Sequence, residues 1–244
     1  MHPILLKLGP FTLYSYGLMI ALGFLAAVWD VGRRAVRAGL DRKRLQNLAL
    51  TALLAGILGA RVLYVLLNWS QYRGNGWEIF RLDHGGLVYY GGFVAGLAAV
   101  FWGARRSQFP LWKTIDLCVP PLVLAHAFGR IGCFLNGCCY GKPTQAPWAV
   151  AFPNECIPRH PAQLYESAFL LALFFLLGWL QRRDLRPGTV LLVYGLAYGT
   201  WRFNVEFLRG DNPIVSGGLT LFQWLSLLLA GVCAWLLLQR TLRK

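Results

Sequence analysis

The segment NLALTALLAGILGARVLYVLL, Asn47–Leu67, decides the fold, because it contains one charged residue in 21 positions. About 20 predominantly apolar residues are enough for a helix to cross a bilayer core of about 30 Å. Similar runs are YGLMIALGFLAAVW, Tyr16–Trp29, and LTLFQWLSLLLAGVCAWLLL, Leu219–Leu238. Over the whole chain 57% of residues are hydrophobic and 14% are charged, where a soluble domain has about 25% charged residues. The sequence predicts an all-α, polytopic membrane protein.

We expect about seven transmembrane helices in a single integral-membrane domain that covers residues 1–244. The first apolar run ends in WDVGRR without a small-residue cleavage site, so we expect it to be retained as a span. Small interfacial segments, rich in Gly, Pro, Trp and Tyr, should lie at the outer face at about 68–85 and 137–161. The expected spans are 12–32, 45–67, 86–104, 114–136, 162–180, 188–208 and 218–239.

The net charge of +14 is explained by membrane topology rather than by a nucleic-acid partner. Basic residues are concentrated in the segments that follow the first, third, fifth and seventh expected spans. By the positive-inside rule these segments are cytoplasmic, so the N-terminus lies outside and the C-terminus in the cytoplasm. The surplus of basic residues also predicts affinity for anionic membrane lipid. The residues on this side are Arg33, Arg34, Arg37, Arg42, Lys43, Arg44, Arg105, Arg106, Lys113, Arg182, Arg183, Arg186, Arg240, Arg243 and Lys244.

Three arginines, Arg61, Arg130 and Arg202, fall inside expected spans. An arginine at the bilayer centre costs at least about 2.5–3.5 kcal/mol, so such residues are candidates for a functional site. For Arg61, a structural pair or a side chain reaching the headgroups is an equally good interpretation. Arg130 and Arg202 have further polar neighbours, and Glu206 follows Arg202 by one helical turn on the same face.

The expected topology places these arginines in the outer half of the membrane, together with Tyr16 and Tyr90. We therefore predict a polar cavity that opens outward and binds an anion. The planar guanidinium group matches phosphate with two parallel hydrogen bonds and stays charged at physiological pH. The most abundant anion at this depth is a phospholipid headgroup. The glycine-rich segment GRIGCFLNGCCYG, Gly129–Gly141, is expected to break the helix and line this cavity.

The same segment carries Cys133, Cys138 and Cys139. A metal site is an alternative, but the spacing is not that of a C-x2-C zinc knuckle and no His lies at a matching interval. Packing as a small residue is favoured for Cys133, and a disulfide from Cys156 to Cys138 or Cys139 is favoured over metal. We therefore predict no metal and no cofactor. His126 is expected to pack within its helix.

The motif GRIGCFLNGCCYG resembles the signature G-R-x-G-N-F-x-N-G-E-x-x-G of bacterial prolipoprotein diacylglyceryl transferases. Cys133 and Cys138 stand where that signature has Asn and Glu, and Tyr90 stands at a position that is often His. The resemblance spans essentially the whole chain, with the motifs in the family's order. The other similar pieces are YSYGLMIALGF, GGLVYYGGFVAG, RHPAQLYE, YGTWRFNVEFLRGDN and LTLFQWLSL.

The resemblance implies an enzyme of the bacterial inner membrane, with its active site toward the outer leaflet. Such an enzyme transfers the diacylglyceryl group of phosphatidylglycerol to the lipobox cysteine of a preprolipoprotein and releases glycerol phosphate. Two alternatives remain, a lipid or anion transporter and a lipid-binding paralogue with another acceptor or no transferase activity. The expected catalytic residues are Arg130, Arg202, Tyr16, Tyr90 and Glu206, and the expected phosphatidylglycerol-binding residues are Arg130, Asn136, Gly141, Tyr198, Arg202 and Arg209.

Overall fold

The computed structural model describes residues 2–8, 11–72, 76–81, 85–153, 157–210 and 212–242. Within these ranges the chain forms eight α-helices, one 3-10 turn and two small β-hairpins. The helices are α1 (Ser15–Arg37), α2 (Arg42–Leu67), α3 (Trp69–Tyr72), α4 (Tyr89–Arg106), α5 (Leu111–Asn136), α6 (Ala162–Leu180), α7 (Thr189–Glu206) and α8 (Leu221–Leu242). The 3-10 turn is Gly76–Phe80, and the strands are β1 (Ile4–Leu8), β2 (Phe11–Tyr14), β3 (Ile214–Ser216) and β4 (Leu219–Thr220).

The long helices confirm the prediction of a helical membrane protein. Five of them, α1, α2, α5, α6 and α8, are long and apolar enough to cross a bilayer. The other two long helices, α4 and α7, have 18 residues each and coincide with the expected third and sixth spans. A count of seven spans therefore stays a prediction, as does the division of the chain into spans and interfacial segments.

The hairpins correct the expectation of a purely all-α chain. Strands β1 and β2 pair antiparallel, so Thr12–Tyr14, expected to begin the first span, are extended. The helix begins at Ser15, whose N–H and hydroxyl both donate to the Pro3 carbonyl. Strands β3 and β4 likewise precede α8, joined by Gly217 and Gly218 with φ of +57° and +76°. Strands of two to five residues are too short for a clear alternation in the sequence.

The chain divides into two compact units, and the first comprises residues 28–114. Its helices α2 and α4 approach so closely that their backbones touch. A Cβ added at Gly59 would lie 2.5 Å from the Gly91 carbonyl oxygen and would also clash with Ala95. Small residues that allow such close approach are the usual basis of helix pairing in membranes.

Arg61 of α2 binds the chain between α2 and α4 through hydrogen bonds to its backbone carbonyls. Its Nε donates to the Ile79 carbonyl at 2.9 Å, and its terminal nitrogens donate to the carbonyls of Glu78 and Arg81 at 2.6 and 2.8 Å. It also donates to the carbonyls of Gly85 and Gly86. Backbone carbonyls thus replace the water that this buried guanidinium group would otherwise bind. Of the interpretations left open for Arg61, the structural one is confirmed.

The second unit comprises residues 1–27 and 115–244. Its core lies between α5, α6 and α7, where Val123, Leu170 and Leu177 have no accessible surface. Helix α1 packs closely against α5 at Gly23. A Cβ added at Gly23 would lie 2.8 Å from the Phe128 Cβ. The Asp116 carboxylate of α5 accepts hydrogen bonds from the Gly188 and Leu191 N–H groups at the start of α7, at 2.6 and 2.9 Å. These contacts fix α5, α6 and α7 against one another.

The close contact at Gly59 is testable by adding one methyl group. Alanine favours a helix over glycine by about 1 kcal/mol, so Gly231→Ala in α8, where a new Cβ meets no atom within 4 Å, should leave stability unchanged or raise it. Gly59→Ala should instead lower stability by about 1–3 kcal/mol, the usual effect of overpacking. Thermal unfolding in detergent compares the two variants. Equal midpoints would contradict the glycine contact between α2 and α4.

Candidate functional site

Glu166 is the centre of a polar cluster inside the second unit. It lies in the first turns of α6, and its side chain is 2% exposed. Its Oε1 forms an ion pair with Arg130 Nη2 of α5 at 3.1 Å and accepts a hydrogen bond from the Tyr198 hydroxyl of α7 at 3.1 Å. Three helices thus bring polar groups together in one cluster.

His126 belongs to the same cluster. Its Nε2 lies 3.3 Å from Arg130 Nε, one helical turn further along α5, and 3.7 Å from Glu166 Oε1. Its ring meets the Tyr198 ring edge-on at a centroid distance of 5.5 Å. The expectation that His126 packs within its helix therefore omitted these polar contacts between α5, α6 and α7.

A second arginine–carboxylate pair lies within α7. Arg202 Nη1 is 2.7 Å from Glu206 Oε2, an ion-pair distance without hydrogen-bond geometry. Glu206 Oε1 accepts from the Thr220 hydroxyl at 2.9 Å and from the Asn212 amide at 2.6 Å. The Arg202 guanidinium also lies over the Phe222 ring, 5.3 Å from its centroid. Glu206 is thus paired with Arg202, the contact predicted from their spacing on one helix, and its catalytic role stays a prediction.

The loop after α5 is held against the end of α7 through main-chain hydrogen bonds. Gly141 N–H donates to the His160 carbonyl at 2.9 Å, and Lys142 N–H donates to the Leu208 carbonyl at 2.7 Å. A Cβ at Gly141 would lie 2.7 Å from the Leu208 carbonyl oxygen, so only glycine fits there without a shift. Gly141 is one of the residues expected to bind phosphatidylglycerol, and its N–H is already engaged within the protein.

The three thiols of the signature segment meet one another. The Sγ atoms of Cys133, Cys138 and Cys139 all lie within 4.8 Å of each other, and all three residues are partly buried. Hydrogen bonds from the thiols of Cys133 and then Cys138 lower the pKa of Cys139. Cys156, the expected disulfide partner, lies outside the described residues. Among the groups that the structure describes, this cluster is the one whose spacing suits a metal ion.

The remaining predicted site residues are placed as follows. Tyr16, in the first turn of α1, is 42% exposed and lies within electrostatic range of Arg130 and the three thiols. Arg209 follows α7 and lies within the same range of Arg130 and Cys139. Asn136 ends α5, two residues before Cys138. Tyr90 is 65% exposed and belongs to the other unit.

Sequence reasoning missed Glu166, although it ends the quoted motif RHPAQLYE. Its signal was an acidic residue early in an expected span, the same criterion that identified the arginines. Gln163, one turn before Glu166 on α6, was also missed. It is 1% exposed, and its amide donates to the Cys138 carbonyl at 2.6 Å. Both residues tie the start of α6 to the signature segment.

The fold and this cluster define a multi-pass helical membrane protein with buried arginine–carboxylate pairs in its interior. The sequence profile described as prolipoprotein diacylglyceryl transferase matches residues 3–239. A phosphatidylglycerol–prolipoprotein diacylglyceryl transferase of Clostridium tetani is 39% identical over 232 residues, covering 93% of each chain. Proteins of the same name from Bordetella bronchiseptica and Vibrio cholerae are each 36% identical, covering 98% and 92% of this chain and 95% and 86% of theirs. The chain belongs to the prolipoprotein diacylglyceryl transferase family.

Removal of the Glu166 carboxylate tests how much the polar cluster stabilises the fold. Glu166→Ala leaves Arg130 without its carboxylate in a buried site, and we expect a loss of about 3–5 kcal/mol in the free energy of unfolding. Arg44→Ala is the control, since its pair with Asp41 is exposed, at 67% and 51% for the two side chains. Such a pair contributes about 0–1 kcal/mol. A Glu166→Ala variant that unfolds at the same temperature as the control would contradict the importance of this pair.

Proposed function

We propose that the protein transfers the diacylglyceryl group of phosphatidylglycerol to the lipobox cysteine thiol of a preprolipoprotein. The observation that carries the proposal is the pair of partly buried arginines, Arg130 and Arg202, each beside a buried glutamate, in a chain that matches the family profile over residues 3–239. Both guanidinium groups act electrostatically on His126 and Tyr198, so they lie near one site. The names of the relatives supply the two substrates.

The proposed reaction is a substitution at carbon. The cysteine sulfur forms a bond to the glycerol carbon of the diacylglyceryl group, and the bond from that carbon to the phosphate oxygen breaks. The oxygen leaves with its electron pair as glycerol phosphate, and the thiol proton passes to solvent or to the leaving phosphate. The products are a thioether and glycerol phosphate, so neither an oxidant nor a cofactor is needed.

Arg130 and Arg202 are proposed to hold the phosphate and to stabilise the charge that grows on it as it leaves. One well-placed donor in such a role is worth about 2.7–4 kcal/mol. Arginine has five N–H donors, and Arg130 uses one of them on His126 beside its ion pair with Glu166. Those contacts hold the side chain in one orientation, which favours binding in a single geometry. Glu206 positions Arg202, and Arg209 adds positive charge beside Arg130.

Forming the acceptor thiolate needs less stabilisation free energy from the protein than the departing phosphate needs. A free thiol has a pKa near 8.5, so forming the thiolate at pH 7 costs about 2 kcal/mol. Neighbouring guanidinium groups reduce this cost. Tyr16 and Asn136 are proposed to orient the headgroup beside Arg130, and Tyr90 is proposed to contact substrate at the position where relatives often carry His. Tyr198 is proposed to line the headgroup site, and its hydrogen bond to Glu166 holds it there.

The proposed setting is the bacterial inner membrane, with seven spans that include α4 and α7. The N-terminus lies outside and the C-terminus in the cytoplasm, following the distribution of Lys and Arg. In this orientation Arg130, near the end of α5, and Glu166, near the start of α6, both lie in the outer leaflet. That is the leaflet in which a preprolipoprotein signal peptide emerges.

A transfer assay with purified protein tests the proposal. The reaction contains phosphatidylglycerol and a lipobox peptide, and the readouts are peptide mass and released glycerol phosphate. We expect a mass gain of one diacylglyceryl group with an equal amount of glycerol phosphate. Arg130→Ala should lower the rate by about 100- to 1,000-fold, the effect of losing one transition-state donor. Arg34→Ala is the control, because it removes a buried arginine that pairs with Asp30 at 2.6 Å outside this site.

Each result has a definite meaning. An Arg130→Ala variant that stays folded and fully active would contradict the role of the arginine. A wild-type protein that binds phosphatidylglycerol but transfers nothing would support the lipid-binding paralogue. Movement of labelled phosphatidylglycerol across sealed vesicles without thioether formation would support a transporter.

A further inference from the structure

The end of α5 turns back so that three thiols face one another. Cys133 is in the last turn of α5, and the chain then reverses through Gly137 and Cys139, with φ of +75° and +63°. Cys138 N–H donates to the Cys133 carbonyl at 3.1 Å, and its thiol contacts the same carbonyl at 3.6 Å. The Sγ atoms of Cys133, Cys138 and Cys139 consequently lie within 4.8 Å of each other. We call these three residues the thiol cluster.

The loop that carries the thiol cluster is fixed from both sides. Gln163 of α6, which is 1% exposed, donates its amide to the Cys138 carbonyl at 2.6 Å. Two residues after Cys139, Gly141 donates to the His160 carbonyl at 2.9 Å. A positive φ is unusual for a residue other than glycine, and at Cys139 it directs the thiol toward the other two. The cluster is therefore held in place by the fold.

The separation of the sulfur atoms suits a metal ion. A metal–sulfur bond of about 2.3 Å places two sulfurs bound to one ion about 3.8–4.0 Å apart, so adjustments of less than an ångström complete the site. Soft thiolate ligands select Cu⁺ and Zn²⁺ over the hard cations. Arg130 and Arg209 lie within electrostatic range of Cys139 and offset the negative charge of three thiolates.

We propose that Cys133, Cys138 and Cys139 bind a thiophilic d10 cation, Cu⁺ or Zn²⁺. The three sulfurs supply a complete trigonal shell for Cu⁺. For Zn²⁺ they supply three of four tetrahedral ligands and leave one position open. On binding, each thiol that carries a proton releases it to solvent and the metal keeps its oxidation state. The inference concerns metal binding alone and stands independently of the transferase activity.

The test uses the full chain with its other cysteines replaced. The six cysteines of the sequence are reduced to the thiol cluster by Cys118→Ser, Cys156→Ser and Cys233→Ser. Affinity for Cu⁺ and for Zn²⁺ is then measured separately, by competition with a chromogenic chelator under reducing conditions, together with metal content by mass spectrometry. We expect one bound ion per chain. Adding Cys133→Ser, Cys138→Ser or Cys139→Ser should weaken binding at least tenfold.

A second measurement needs no variant. In the wild-type chain the metal should protect the three cluster thiols from alkylation, as read by peptide mapping, and should leave the alkylation of Cys118 and Cys233 unchanged. Binding that is the same in the cluster variants, or the absence of selective protection, would overturn the proposal. So would peptide mapping of protein prepared without reductant that finds a cluster thiol in a disulfide which excludes metal. Of Cu⁺ and Zn²⁺, the ion with the higher measured affinity is the one that the site prefers.

Discussion

The ion pair between Arg130 and Glu166 is the interaction on which the rest of the second unit depends. The Glu166 side chain is 2% exposed, and a buried carboxylate without a partner costs several kcal/mol. Its Oε1 is therefore compensated from both neighbouring helices, by Arg130 of α5 at 3.1 Å and by Tyr198 of α7 at 3.1 Å. A slide of one helix by a single turn, about 5.4 Å, would break these contacts. The pair thus fixes the register of α5, α6 and α7.

The same pairing reduces the net positive charge of the proposed phosphate site. Arg130, Arg202 and Arg209 carry three positive charges, and Glu166 and Glu206 carry two negative charges. The two carboxylates thus offset part of the positive charge that the proposed site presents to a phosphodiester. Without the carboxylates, three guanidinium groups would repel one another and would bind a product phosphate too tightly for release. The carboxylates therefore serve both the fold and the proposed turnover of substrate.

The sequence predicted the long helices well, because an apolar run long enough to cross a bilayer is visible in the sequence itself. The expected span 162–180 coincides with α6, and the other six agree with their helices to within five residues at each end. The two hairpins were missed because their strands have two to five residues. In the site, Arg202 and Glu206 were paired correctly because they are four residues apart on one helix. Glu166 lies 36 positions after Arg130 on a separate helix, and no local sequence pattern predicts a contact between separate helices.

The thiol cluster raises a problem that any thiol-alkylating site containing cysteines must solve. In the proposed reaction the acceptor is a cysteine sulfur, so Cys133, Cys138 and Cys139 would compete with the substrate for the same electrophilic carbon. One feature of the structure opposes this competition. Gln163 and the main chain fix the loop, and a fixed sulfur reacts only when it lies in line with the breaking bond. A cation bound by all three sulfurs would occupy their lone pairs and complete the protection, so a family variant with thiols at the Asn and Glu positions could remain a transferase.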